Sequence, residues 1–307
     1  MYRTILVPLD GSPFSEQALP LATRVAQAAG ARVVLLQATR CMGEPGQQTN
    51  VLQARMTQHA RQYLSLVADR LVATGLVTDI AVRSTAPEEA IPSVADDVNA
   101  DLIIMATHGR SGLGRMVRGS VAEAVLTNTL VPVLLLRVVK KPRGAPEPTE
   151  HVVLVPVDGT AFAEAALPHA VALAQAMDGV VRLLRVIVPS GLVSPRYADE
   201  PDLVMEMVKQ DQSEAQHYLE TTGEALRVQG VPVEVSLRVG SAAPSILDES
   251  KMPGVELIVM TTHARTGWDR VRYGSVAQDV LRRGETPILF VRPAAVFEDL
   301  SLSSPGR

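Results

Sequence analysis

Short, fully apolar runs alternate along this chain with longer stretches whose apolar residues recur every three or four positions. The runs at residues 3–9, 31–38, 78–84, 102–106 and 131–137 predict strands, and the first, in which Ile5, Leu6 and Val7 run together, reads as covered on both faces. Between them, Leu19, Ala22, Val25, Ala26 and Ala29 fall at helical spacing, as do Met56, Tyr63, Leu64, Val67 and Leu71. The predicted helices are 15–29, 51–74, 87–99 and 121–127. Ser12 or Ser15 is expected to cap the first, Pro20 to bend it or mark its edge, and Gly30 to end it. The order βαβαβαβαβ specifies a doubly wound α/β sheet. Pro132 sits where only the start of a strand or an edge strand tolerates it.

The pattern then starts again. Strands are expected at 151–157, 181–188, 233–239, 257–261 and 287–291, and helices at 162–177, 203–229, 243–250 and 275–283. The restart is also literal. The stretch from Ile5, Ile-Leu-Val-Pro-Leu-Asp-Gly-Ser, matches Val-Leu-Val-Pro-Val-Asp-Gly-Thr from Val153, an offset of 148 residues. Residues 105–120, Met-Ala-Thr-His-Gly-Arg-Ser-Gly-Leu-Gly-Arg-Met-Val-Arg-Gly-Ser, match 260–275, Met-Thr-Thr-His-Ala-Arg-Thr-Gly-Trp-Asp-Arg-Val-Arg-Tyr-Gly-Ser, at an offset of 155, so the second copy carries seven extra residues in between. A repeat of this size is a whole domain, since solenoid units span roughly 20–50 residues. The expected division is a first domain over 1–140, a proline-bearing linker over 141–150, a second domain over 151–293 and a tail over 294–307.

The repeated 105–120 segment joins a buried strand to a helix. A glycine-bearing loop there lets backbone approach a phosphate, and the first helical turn offers unpaired N–H groups and a positive dipole end. Ser120 can cap that helix and bond a phosphate oxygen, with Arg110, Arg115 and Arg118 nearby. It is not a Walker A loop, because Arg115-Met116 stands where Lys-Ser or Lys-Thr is required, and its glycines do not follow G-x-G-x-x-G. Taken once, such a segment reads equally well as an ordinary surface loop. In doubly wound folds ligands sit beyond the carboxyl ends of the strands at the switch point. Asp10, Ala38 and the 106–109 stretch end three strands and would line one crevice. Asp10 by itself reads as a turn residue, Asp-Gly being a favoured turn pair. Its recurrence as Asp158 together with the loop favours a nucleotide site.

Composition narrows the field. The 307 residues suit two domains of about 150 each. A net charge of −4 and only 3% aromatic residues argue against nucleic-acid binding by basic patches or stacking platforms. No apolar run approaches the ~20 residues of a membrane span. The start of the chain leads directly into a strand, and the single cysteine, Cys41, excludes an intramolecular disulfide, so a cytoplasmic setting is expected.

On the Val-Pro-x-Asp-Gly starts, the twice-written loop and the closing Val-Pro-Val strand, the chain resembles a tandem universal stress protein, and the resemblance covers both halves. Nucleotide-binding members of that family carry a glycine, two residues, a second glycine, nine residues, then Gly-Ser or Gly-Thr. Here the spacing runs Ala106, Gly109, Gly119-Ser120 in the first copy and Thr261, Ala264, Gly274-Ser275 in the second. The resemblance implies two adenine nucleotide alpha hydrolase-like domains, each a five-stranded mainly parallel sheet flanked by helices. It also implies ATP binding, with or without Mg, and a role in the stress response. Carried over, Asp10 after Pro8 would face ribose and adenine, and the Ala38 backbone the adenine edge. Gly109, Gly119, Ser120 and Val121 would hold phosphates beside His108 and Arg110. The second site would use Asp158, Val186, His263, Gly274, Ser275 and Val276.

Thr261 and Ala264 replace the two glycines of the loop in the second copy, and Asp269 stands where the first copy has Gly114. The first site is therefore expected to bind ATP better. For chemistry, His108 and His263 are the only obvious bases on the loops, and local packing or bonding accounts for each more readily than catalysis does. The main reading is a binding and sensing protein. The alternatives are a slow ATPase using His108 or His263, or an interaction module with degenerate pockets. The family resemblance further implies dimers joined by the last strand of each domain. Inside one chain, 131–137 could pair with 287–291 to give an intramolecular pseudo-dimer.

Overall fold

The computed structural model describes residues 2–40, 47–107, 120–137, 150–188, 201–262 and 274–293. The first half runs β1 (Thr4–Pro8), α1 (Leu19–Ala29), β2 (Arg32–Ala38), α2 (Gln47–Val72), β3 (Thr78–Arg83), α3 (Pro87–Asp97), β4 (Leu102–Thr107), α4 (Ser120–Asn128) and β5 (Val133–Arg137). The second runs β6 (Val152–Val157), α5 (Ala161–Glu164), α6 (Leu167–Met177), β7 (Val180–Ile187), α7 (Pro201–Arg227), β8 (Val233–Val239), α8 (Ala242–Glu249), β9 (Val255–Thr261), α9 (Ser275–Arg283) and β10 (Ile288–Val291). This is the α/β fold the hydrophobic pattern predicts, written twice.

The two sheets are one. Ten strands lie in the order β3-β2-β1-β4-β5-β10-β9-β6-β7-β8. Within each half all pairs are parallel, and β5 meets β10 antiparallel, with Val133, Leu134 and Leu135 opposite Phe290, Leu289 and Ile288. The strand that closes the first half is thus an interior strand, and β3 and β8 form the outer edges. Neighbouring residues of β5 and β10 point to opposite faces. Leu134 and Leu289 enter the core beneath α1, α2, α6 and α7, while Val133, Leu135, Ile288 and Phe290 enter the core beneath α3, α4, α8 and α9. Both cores run through the junction from one half into the other.

The expected helix over 15–29 is broken. A 3₁₀ turn covers Ser15–Ala18, and α1 begins at Leu19 with proline in its first turn. A proline lacks the N–H an interior turn needs but fits the start of a helix, so Pro20 restarts it rather than bending it. Ser15 does not cap it, but Ser12 Oγ accepts from the Ser15 N–H at 3.3 Å at the start of the 3₁₀ turn, while Phe14 and Ala18, which flank the two helical pieces, make no side-chain cap. The Ser15 hydroxyl instead donates to the Ser12 carbonyl at 3.0 Å. In the second half the same break separates α5 from α6, and there Thr160 caps, its Oγ1 accepting from the Ala163 N–H at 3.2 Å. The helix expected over 51–74 begins earlier, at Gln47. Among the described residues, no helix is long and apolar enough to cross a membrane.

Candidate functional site

In each half the chain leaves its first strand at the point where the sheet's connections diverge. From β1 the order proceeds to β2 and β3 on one side and to β4 and β5 on the other. The carboxyl ends of β1, β2 and β4 therefore stand side by side, which is where α/β sheets form ligand crevices. Pro8 is the last residue of β1 and Asp10 follows it, exposed. Leu9 is still zipped to the neighbouring strand, its N–H donating to Leu36 at 2.8 Å. Ala38 ends β2, and Ala106 lies near the end of β4 opposite Leu136. Both are half-buried, as surfaces facing a crevice should be.

Asp10 is held by its own turn. Its Oδ1 accepts from the Ser12 N–H at 2.8 Å, and its N–H donates to Ser15 Oγ at 3.2 Å. Gly11 between them has φ +82°, a left-handed conformation that glycine adopts without strain. The copy is faithful. Asp158 Oδ1 accepts from the Thr160 N–H at 3.0 Å and its hydroxyl at 2.5 Å, across Gly159 at φ +79°. The turn reading of the aspartate and the site reading are thus compatible: the turn fixes a carboxylate at the strand end.

Across the crevice, Ser120 opens α4 and is exposed, and Val121 packs on the core together with Ala122, Val125 and Leu126. In the second half Gly274 caps α9 without a side-chain bond and has φ −51°, so its backbone does not require glycine. Ser275 is exposed behind it, and Val276 is packed like Val121. Val186, the counterpart of Ala38, is half-buried near the end of β7. His108, Gly109, Arg110, Gly119 and His263 lie outside the described residues.

Behind each crevice a tyrosine–glutamate pair, which the pattern of apolar residues did not reveal as a pair, braces the long helix. Tyr63 on α2 donates to Glu16 at 3.0 Å, and Tyr218 on α7 donates to Glu164 at 2.8 Å. The glutamates are 148 residues apart and the tyrosines 155, so superposing the halves would have found both. Arg70 adds a 2.8 Å ion pair that holds the Glu16 carboxyl below its ordinary range. Burial and the Glu164 carboxylate push the Tyr218 phenol up to about 12, and Tyr63 is raised for the same reasons. These tyrosines stay neutral donors at any physiological pH. A polar groove of about 440 Å³ lies at the head of α2, lined by Gln53, Thr57, Arg61 and Ser84 among others. It adjoins the ends of β2 and β3, since Gln53 Nε2 donates to Thr39 Oγ1 at 3.0 Å, one residue beyond Ala38. Among the described residues, no three His, Cys, Asp or Glu side chains gather as a metal cluster.

A doubly wound sheet with an acid at the end of its first strand and a serine opening the helix beyond its fourth defines an α/β protein whose strand ends form the same arrangement twice. The chain belongs to the universal stress protein family, whose model matches residues 1–137 and 150–292. A universal stress protein of Mycolicibacterium smegmatis is 28% identical over 309 residues, covering 94% of this chain and 97% of the relative. One from Thermus aquaticus is 31% identical over 142 residues, 45% of this chain and 100% of the relative. Among solved structures, a universal stress protein from Archaeoglobus fulgidus superposes with a TM-score of 0.68 at 20% identity, covering 94% of this chain and 98% of that one, which supports the fold across both halves.

Proposed function

We propose that this chain binds ATP, with or without Mg, in the crevice at the ends of β1, β2 and β4, chiefly in its first half. In this reading it acts in the cytoplasm as a nucleotide-responsive stress protein rather than an enzyme. The observation that carries the reading is the exposed Asp10, fixed by its turn between Ala38 and Ala106 and repeated as Asp158. A carboxylate there suits a ribose hydroxyl or an adenine amine. Ser120 and Val121 at the head of α4, with Gly109, Gly119, His108 and Arg110, suit the phosphates, because a helix start supplies N–H donors and a favourable dipole. The preference for the first half follows from Thr261 and Ala264, which add bulk where the first copy has Ala106 and Gly109. The β5–β10 ladder supports reading the chain as an intramolecular pseudo-dimer. The test is to titrate ATP into nucleotide-stripped protein and into Gly119→Val. A single ATP per chain, lost in the variant, is the expected result. No binding at millimolar ATP overturns the proposal.

A further inference from the structure

Two side chains at equivalent positions lie against the same turn in the two halves and differ in chemistry. Gln37 in β2 and Arg185 in β7 are 148 residues apart, the offset that relates the two Asp-Gly turns. A Cβ built on Gly11 would stand 3.7 Å from Nε2 of Gln37, and one on Gly159 would stand 3.5 Å from Nη1 of Arg185. Each side chain also has a buried polar atom with no hydrogen-bond partner among the described residues, Oε1 of Gln37 and Nη1 of Arg185. An unmet buried polar atom is costly and calls for an explanation. Here it occurs twice, at the same place, at the strand ends beside the exposed Asp10 and Asp158.

The two groups read different partners. An amide offers an acceptor and donors together, which matches the adenine edge, where an amino donor adjoins a ring-nitrogen acceptor. A guanidinium has donors only and matches an edge of two acceptors, the guanine O6 and N7. Arg185 is also steadied. Its guanidinium carbon lies 5.9 Å from the centre of the Tyr218 ring, and Tyr218 is itself tied to Glu164 at 2.8 Å. On the far side of β6, the Thr262 hydroxyl just beyond β9 is 2% exposed and likewise has no partner among the described residues. Beside its Asp-Gly turn the second half thus carries a cation where the first carries a neutral amide.

We propose that Gln37 and Arg185 select the base in each crevice: an adenine nucleotide in the first half and a guanine nucleotide in the second. This rests on the nucleotide reading above and goes beyond it, because it gives the second half a ligand of its own rather than a weakened ATP site.

The experiment titrates ATP, GTP and inorganic triphosphate by calorimetry into full-length, nucleotide-stripped protein. Gly119→Val isolates the second crevice. There GTP is expected to bind about tenfold or more tighter than ATP, and Arg185→Gln to reverse that order. Arg185→Lys, which keeps the charge and the cation over Tyr218 but loses the two-pronged donor, is expected to abolish the preference while the protein remains folded by circular dichroism. Gln37→Arg, combined with Gly274→Val to silence the second crevice, is expected to move the first towards GTP. The proposal is overturned if Arg185→Gln weakens all three ligands alike, which would make Arg185 a phosphate contact, or if the order of ATP and GTP is unchanged in every variant. Failure of the unmodified protein to bind any nucleotide would instead sink the nucleotide reading beneath it.

Discussion

Arg137 and Arg292 perform the same task in opposite directions. Arg137, the last residue of β5, reaches into the second half and donates to the carbonyls of Leu281 and Arg282 at 3.2 and 3.1 Å, and also to that of Gly284, at the end of α9. Arg292, just beyond β10, reaches into the first half and donates to Thr127 and Thr129 at 3.1 and 2.7 Å, at the end of α4. The last carbonyls of a helix have no partner within it, and a cation there also meets the negative end of the dipole. Each half thus caps a helix of the other. Replacing either arginine with alanine is expected to cost about 1.5–3 kcal/mol, the range for hydrogen bonds to charged groups. Chemical denaturation with both single variants and the double variant measures this. Losses within error of zero would show that water replaces the arginines without penalty.

Phe290 is the largest side chain sealed at the junction, 1% exposed within the core beneath α3, α4, α8 and α9 and paired with Val133 across the antiparallel ladder. Phe290→Ala leaves a void that the merged sheet cannot close from either side, at a cost of about 3–5 kcal/mol. Because both cores run through this point, the two halves should still unfold together in the native chain. The variant should lower the stability of both halves, which residue-resolved hydrogen exchange would report. Protection lost only in the second half would contradict a shared core.

The fold was legible because parallel strands covered on both faces leave continuous apolar runs, as in Ile5-Leu6-Val7 and Val153-Leu154-Val155. The start of α2 was not. Gln47, Gln48, Thr49 and Asn50 show no apolar period, although they are helical in the structure. The contacts between halves were also hidden. Arg24 pairs with Glu256 at 3.2 Å, and nothing local to either residue signals the other. At the site, repetition made Asp10 and Ser120 visible. Gln37 and Arg185 escaped notice because a polar atom buried at a strand end belongs to no pattern, and only the structure shows that it lacks a partner.

The ends of α1 and α6 form a natural comparison. Gly30 closes α1 at φ +62°, and its counterpart Asp178 closes α6 at φ +52°. Both bond the preceding turn in the same way, but only glycine adopts that conformation without crowding at Cβ. Asp178→Gly is therefore expected to stabilise the protein by about 0.5–1 kcal/mol and Gly30→Ala to destabilise it by about 1 kcal/mol. Opposite signs in thermal melts of the two variants support the argument. A destabilising Asp178→Gly would mean that the carboxylate earns its place through some other contact.

Asp10 and Asp158 test the asymmetry of the crevices. Asp10→Asn keeps an oxygen to accept from the Ser12 N–H, so the turn is retained while the charge is lost. ATP affinity is expected to fall about tenfold, equivalent to about 1.4 kcal/mol. Asp158→Asn is expected to leave it unchanged. Equal losses in the two variants would show that both crevices share the ATP.

His169 on α6 gives the junction a pH dependence. Its Nδ1 lies 2.9 Å from the hydroxyl of Tyr2, which is 3% exposed, with the two rings 5.9 Å apart. Burial lowers the His169 pKa from its ordinary 6.5 to about 4, so the ring is neutral in the folded protein at neutral pH. The same burial raises the Tyr2 phenol, and nearby Asp101 raises it further, so Tyr2 remains protonated. Between pH ~4 and ~6.5 the unfolded chain binds a proton that the folded chain does not. The contribution is therefore fully present above about pH 6.5 and declines as pH falls, with at most about 3 kcal/mol lost once pH reaches about 4. His169→Phe removes the titrating group while keeping an aromatic ring against Tyr2. It is expected to flatten that part of the stability profile relative to the unmodified protein, as measured by denaturant midpoints from pH 7 to pH 4. Parallel profiles for the two proteins would assign the acid sensitivity to groups other than His169.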